Sequence, residues 1–266
     1  MTDRTPSSFQ NLRIESRDRL AWIRLNRPPL NDLTPEVIEE LIEAHRLLAA
    51  DDSVWMVVLG GQGEKFFCNG LSPEYILAQD AAGRAAVFAR LFDLMRAMYA
   101  FPKIEAAAMG GHAMAGGAVL GILCDFRFMR AGKSRIGFSE VAAGLTVPEF
   151  LIDIIEGVIG PQHLVQTAML AKAYRPEEAL AIGLVDDVFP PEEFDARVEA
   201  YLNGLMDSLP LRSMQTVKQS LRAKRNAGLK AASTRSLENL RPLLMGNFDE
   251  GLTAVLERRK PVFQNP

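Results

Sequence analysis

Two glycine-marked segments and a few carboxylates are the places where this sequence could do chemistry. Phe66-Phe67-Cys68-Asn69-Gly70-Leu71 and Ala113-Met114-Ala115-Gly116-Gly117-Ala118 both put glycine where a backbone can approach a ligand closely or take positive φ. The second segment enters a helix, whose first N–H groups lack internal partners and whose dipole favours negative charge. One N–H from each segment, converging on a carbonyl oxygen, would help most when that oxygen becomes anionic, as in an enolate. Each motif taken alone also fits tight packing. Neither has the spacing of a phosphate-binding loop or a dinucleotide fingerprint.

The titratable residues divide by context. Glu140, after Ile136-Gly137-Phe138-Ser139, fits a helix-start carboxylate as well as an acid/base. Glu149 follows Pro148 and fits either a capping, solvated residue or a second acid. Glu105 lies in the apolar run Ile104–Met109, where a carboxylate is costly unless paired. His45, His112 and His163 are scattered with no HExxH, so a metal site has little support. Cys68 reads as a small packed residue. Gly137-Phe138-Ser139-Glu140-Val141 lacks the closing glycine of a nucleophile elbow.

The elements that must position these groups alternate between strand and helix. Leu12–Glu15 and Leu20–Leu25 read as paired strands. Thr34-Pro35-Glu36 is a helix start, and Val37, Leu41, Ala44 and Leu48 recur at helical spacing. Val54–Leu59 and Ile104–Met109 read as buried strands, with a helix over about 84–99 between them. Cys124–Met129 and Arg135–Phe138 are further strand candidates. Beyond Glu149 the pattern is mainly helical apart from a short strand at Leu184–Phe189, with amphipathic helices from Glu193, Leu211 and Ser236. This predicts an α/β core over 11–195 and a C-terminal helical region over 196–266.

Composition narrows the partners. The 266 residues suffice for a sizeable core, with 48% hydrophobic and 24% charged residues. A net charge of −3 offers no bulk attraction for nucleic acid or an anionic membrane. Two cysteines fit a reducing, cytoplasmic setting. Residues 1–10 read as a short, floppy polar lead-in and not a signal peptide. Apolar stretches are interrupted before they could span a bilayer.

Together the segments resemble the crotonase (enoyl-CoA hydratase/isomerase) superfamily. Leu25-Asn26-Arg27-Pro28-Pro29-Leu30-Asn31, Phe67–Leu71, Ala115-Gly116-Gly117, Cys124-Asp125, Phe138-Ser139-Glu140, Glu177 to Asp186 and Glu250-Gly251 through Arg258 to Phe263 carry the resemblance, in family order. It implies a spiral of ββα units with a C-terminal helical trimerisation region, in a homotrimer or hexamer. It further implies that the Leu71 and Gly116 N–H groups form an oxyanion hole for a thioester carbonyl. Arg27, Pro28 and Leu30 would lie beside the CoA adenosine and Asn69 beside the pantetheine. Gly70, Gly117, Val119, Pro148 and Glu149 would complete the substrate site. No cofactor is implied beyond the coenzyme A that the substrate carries.

The resemblance also bears on the reaction. Family hydratases use two glutamates, and Val119 stands where the first would be. Glu140 matches the second. One carboxylate suffices to take a proton from C2 of a 3-enoyl thioester and return it at C4, if apolar neighbours (Val119, Phe138 and Val141) lift its pKa. The local motifs are most similar to the Δ3,Δ2-enoyl-CoA isomerase branch. A hydratase, an acyl-CoA decarboxylase and a non-catalytic acyl-CoA-binding oligomer stay open as alternatives. Phe88, Leu91, Phe92, Met95 and Met98 on one helix could line an acyl pocket or simply be core.

Overall fold

The computed structural model of the chain describes residues 2–3 and 9–264. Of the polar lead-in, Thr2–Asp3 form strand β1, and residues 1 and 4–8 lie outside the described residues. β1 pairs antiparallel with β2 (Leu12–Arg17), and β2 with β3 (Leu20–Leu25). Helix α1 (Pro35–Ala50) then crosses over to β4 (Met56–Gly61), which lies parallel to β3.

From β4 onward one pattern repeats. β4 is followed by β5 (Phe66–Cys68) in a second sheet, then by helices α2 (Pro73–Leu77) and α3 (Ala81–Tyr99). β6 (Ile104–Met109) is followed by β7 (His112–Met114) and α4 (Gly116–Leu123). β8 (Phe126–Arg130) is followed by β9 (Ile136–Gly137) and α5 (Glu149–Ile159). Each turn thus gives one strand to a sheet ordered β1-β2-β3-β4-β6-β8 and one to a sheet ordered β5-β7-β9. This is the expected spiral of ββα units. After α6 (Pro176–Ala181), strand β10 (Asp187–Phe189) joins the larger sheet beside β8. Then come α7 (Phe194–Ser208), α8 (Leu211–Leu240) and α9 (Asn247–Glu257).

The larger sheet is covered on both faces, so its parallel strands are nearly all buried. Period-two alternation sends Trp22, Met56, Val58, Ala106 and Phe128 toward Phe194, Val198 and Leu202 of α7. The intervening Ile23, Val57, Leu59, Ala107 and Met129 face the main core. No helix among the described residues is long and apolar enough to cross a membrane.

Two expectations need correction. No new helix starts at Ser236: α8 runs unbroken to Leu240, and the break comes at Pro242 and Gly246, the latter at φ +67. Gly228 inside α8 meets open space and does not interrupt it. The strand expected at Val54–Leu59 begins at Met56, because Val54 N–H closes a turn on Asp51 O.

A buried polar cluster ties α8 to the core. Lys218 Nζ donates to Lys103 O (2.6 Å) and pairs with Asp125 Oδ2 (2.7 Å). Arg222 pairs with Asp125 Oδ1 (2.7 Å) and donates to the carbonyls of Tyr99 and Leu123. Asp125 Oδ2 also accepts from Glu105 N–H. Glu105 is paired, as its apolar context requires: its Oε1 lies 2.9 Å from His45 Nε2. Burial alone would lower the His45 pKa, but the charge and hydrogen bond of Glu105 outweigh it and raise the imidazole. Asp125→Ala strands Lys218 and Arg222 without their carboxylate. A loss of about 3–5 kcal/mol in unfolding free energy is expected, as when one partner of a buried pair is removed. Urea unfolding of the variant and wild type measures it, and a loss below about 1 kcal/mol, the level of a surface pair, would contradict this account of the cluster.

Candidate active site

The first glycine segment is stitched to the loop before α1. Asn69 N–H donates to Leu30 O (3.0 Å), Leu33 N–H to Gly70 O (2.7 Å) and Ser72 N–H to Leu33 O (3.0 Å). This is the ladder of a single parallel bridge between Leu33 and Leu71. Such a bridge uses the Gly70 carbonyl and the Ser72 N–H on either side of Leu71 and turns the Leu71 N–H the other way. Among the described hydrogen bonds the Leu71 N–H has no protein acceptor.

The loop is held by Asn31, whose role no sequence motif announced. Asn31 is fully buried at φ +49. Its Nδ2 donates to Gln62 O and Phe66 O, and its Oδ1 accepts from Arg27 N–H. An asparagine closing a turn in the left-handed region is the one signal that could have found it.

The second segment turns on Ala115, at φ +47 and ψ −117, a conformation that strains a residue with a Cβ. Ala115 N–H donates to Gly137 O and its carbonyl accepts from Val119 N–H. The chain therefore enters α4 with Gly116 as first helical residue, its N–H without an acceptor among the described hydrogen bonds. The two segments touch here. Gly70, at φ +87, has room for no side chain, since a Cβ would lie 2.9 Å from Gly116 N. A Cβ on Gly117 would overlap the carbonyl oxygen of Cys68.

A cavity of about 290 Å³ opens beside these peptides. Asn69, Leu71, Gly116, Val119, Glu140 and Pro148 all line it. So do Phe88, Leu91, Phe92 and Met95 of α3, whereas Met98 remains in the core. Gly70 and Gly117 stand behind the lining as close-packed backbone. Arg27, Pro28 and Leu30 line a separate open depression with Asp32, Ser72 and Glu74. Arg27 is held there by Asp32 (3.3 Å) and Asn11 (3.2 Å).

Glu140 is the only ionisable side chain lining the cavity among the described residues. It precedes a 3-10 turn at Val141–Ala143. Its Oε2 is buried without a hydrogen-bond partner. Burial pushes its pKa up to about 7, against the opposing pull of its own backbone N–H. The apolar surroundings include Val119 and Leu145 but not Val141, which opens the turn on its outer side and is exposed. Glu149 lies outside the cavity. Helical spacing sends Phe150, Leu151, Ile154 and Ile155 of α5 inward and leaves Glu149 outward, 62% exposed and 3.9 Å from Arg235.

Other candidates have structural surroundings. Burial lowers the His112 pKa, and its Nδ1 accepts from Arg135 N–H. Burial pushes the Cys68 thiol up to about 12, which keeps it protonated and a poor nucleophile. The described residues hold no group of three His, Cys, Asp or Glu side chains suited to a metal ion. Two unsatisfied N–H donors and one raised carboxyl around an apolar cavity suit proton abstraction beside a carbonyl and protection of the resulting oxyanion.

Residues 15–266 match the family model described as Enoyl-CoA hydratase/isomerase. The chain is 29% identical to the crotonyl-CoA hydratase of Syntrophomonas wolfei, over 96% of this chain and 98% of that one. It is 27% identical to the mitochondrial enoyl-CoA delta isomerase 1 of Mus musculus, over 80% of this chain and 75% of that one. The fold is similar to that of human mitochondrial delta3-delta2-enoyl-CoA isomerase, with a TM-score of 0.88 at 24% identity, covering 94% of this chain and 98% of that chain.

Proposed function

We propose, from the premise that this chain belongs to the enoyl-CoA hydratase/isomerase family, that it moves the double bond of a 3-enoyl-CoA to the 2-position. The observation that carries this reading is the solitary carboxyl. Glu140 lines the cavity with a pKa near 7, and Val119 fills the place where a second acid would stand. Glu140 takes a proton from C2 of the thioester. The electrons shift into a dienolate whose oxygen lies between the N–H groups of Leu71 and Gly116. The same carboxyl, now protonated, delivers its proton to C4, and the double bond settles between C2 and C3. A pKa near neutrality lets one group act as base and then acid. Hydration would need water activated and a proton delivered by separate groups, and among the described residues the lining offers no second ionisable one.

Arg27, Pro28 and Leu30 would bind the adenosine end of coenzyme A and Asn69 the pantetheine. For the assembly we favour a homotrimer or hexamer. An open apolar groove between α5 and α8, where Val217 and Leu221 are exposed, supports this. A reducing cytoplasmic setting suits two free, buried cysteines.

Purified protein is expected to convert 3-enoyl-CoA to 2-enoyl-CoA and to leave 2-enoyl-CoA unhydrated. Chromatography of the products from the two substrates, run in parallel, decides. Formation of 3-hydroxyacyl-CoA would make the protein a hydratase. Acyl-CoA binding without turnover of either substrate would favour a decarboxylase or a non-catalytic binder.

A further inference from the structure

One wall of the Glu140 cavity is the chain's own C-terminal part: Leu240 of α8 with Phe248, Leu252 and Val255 of α9. On one side α9 meets the turn after Glu140 backbone to backbone. A Cβ on Gly144, itself at φ +81, would lie 2.5 Å from the carbonyl of Asn247, and one on Gly251 would overlap the carbonyl of Ala143. On its other side α9 meets a buried cation. Arg84, the fourth residue of α3, is 2% exposed. Its Nε donates to Ile76 O and Gln79 O, both at 3.0 Å. Its Nη1 donates to Leu244 O at 2.6 Å, and its Nη2 pairs with Asp249 Oδ1 at 2.6 Å. The guanidinium carbon lies 5.9 Å from the centroid of the Phe248 ring. Asp249 in turn accepts from Gly246 N–H (2.8 Å) at the start of α9.

A buried guanidinium is tolerated only when its donors are satisfied, and its planar fork fixes where the acceptors sit. Here those acceptors belong to α2, the α2–α3 link, the α8–α9 link and α9 itself. Arg84 thus ties the segment that carries this wall of the cavity to α2 and the start of α3, from 160 positions upstream of Leu244.

We propose that Arg84 is a positioning residue that fixes α9 as a wall of the cavity and thereby sets how much hydrocarbon the site accepts. This rests on the acyl-CoA reading above and names its substrate class more narrowly. At about 30 Å³ for each water-sized group, the 290 Å³ of the cavity holds roughly ten such groups. Apart from Asn69, Ser139, Thr146 and Glu140, the side chains that line it are apolar. Phe88 packs against Phe248 (6.1 Å between centroids), and Phe92 packs edge-on against Phe150 (5.2 Å). The acyl group this cavity suits is thus an apolar chain of medium length, about six to ten carbons by that volume.

The test uses saturated butanoyl-, octanoyl- and dodecanoyl-CoA as unreactive probes, titrated calorimetrically into the full-length protein. Each methylene entering the cavity is worth up to about fourfold in Kd. Octanoyl-CoA is expected to bind at least ~30-fold tighter than butanoyl-CoA, and dodecanoyl-CoA no tighter than octanoyl-CoA. Arg84→Met frees α9 on this side only and should compress the butanoyl-to-octanoyl ratio by about tenfold, with butanoyl-CoA affinity little changed. Arg84→Lys, which keeps the charge without the fork, should fall between. Asp249→Asn should shift the ratio in the same direction while leaving the carbonyl partners of Arg84 in place. If Arg84→Met does not fold, the Asp249→Asn profile decides. Folded variants with the wild-type chain-length profile would overturn the proposal, as would a flat profile in the wild type. Failure of every acyl-CoA to bind would instead overturn the acyl-CoA reading itself.

Discussion

Glu140→Gln is expected to lower kcat for double-bond migration by at least ~100-fold, the lower end of what a positioned acid/base contributes. KM should change little, since glutamine keeps the shape and removes only the ionisable carboxyl. The reason is the isolation of Glu140: no other ionisable side chain among the described residues lines the cavity, so nothing there can take over. The pH dependence follows from the same burial. The base form is needed to remove the C2 proton, so kcat/KM should rise with pH and level off above about 7. The variant should lack that limb. A Glu140→Gln enzyme within about tenfold of wild type, well short of a general-base contribution, would remove the residue from the chemistry.

Stability runs in the opposite sense, which gives an independent check. The folded-state pKa is raised above the unfolded value. The carboxyl's contribution to folding is therefore fully present below the unfolded pKa and is lost as pH rises through about 7. In wild type the lost contribution reaches up to about 3 kcal/mol at pH 8, counting about 1.4 kcal/mol for each tenfold change in proton affinity on folding. Glu140→Gln should therefore melt higher than wild type at pH 8 and close to it at pH 4. A loss of activity together with a gain of alkaline stability is the signature of a strained functional group. Equal melting temperatures at pH 8 would mean that the carboxyl is not desolvated.

Gly117→Ala is the second large effect, and it acts without touching a functional side chain. A Cβ at this position would overlap the carbonyl oxygen of Cys68, which is backbone and cannot rotate away. The start of α4 must then move off β5, and the Gly116 N–H moves with it. Displacing one donor of such a pair costs about 10²–10³-fold in kcat, and the overpacking about 1–3 kcal/mol of stability. Gly204→Ala is the control. Nothing lies within 4 Å of its Cβ position, in helix α7. It should leave activity intact and stabilise the helix by roughly 0.5–1 kcal/mol. Steady-state kinetics and thermal melts of the two variants separate the cases. Full activity in Gly117→Ala would mean that the start of α4 does not set the site.

The order of strands and helices was legible in the sequence because it rests on local signals. Apolar runs mark strands buried on both faces, and Thr34-Pro35-Glu36 marks the start of α1. The two glycine segments and Glu140 also stood out, as short motifs whose spacing along the chain survives folding. Their convergence on one cavity, with Asn69, Val119 and Pro148, is long-range and needed the structure. Periodicity alone could not orient Glu149 and Val141: each follows a break in the chain, and the packing of α5 and of the 3-10 turn decides which way it points. Asn31 was noted only within a resemblance segment, and Arg84 was given no role, because what matters about both is their hydrogen-bond partners. For Arg84 those partners include the carbonyl of a residue 160 positions away. The alternation of strands and helices was thus written in local sequence, since backbone propensity acts over a few residues, whereas the ββα spiral and the pairing of the Leu71 and Gly116 N–H groups were implied only by the family resemblance. That Glu140 stands alone in an apolar cavity came from tertiary packing, because burial and pairing belong to segments far apart in the chain that meet only in the folded state.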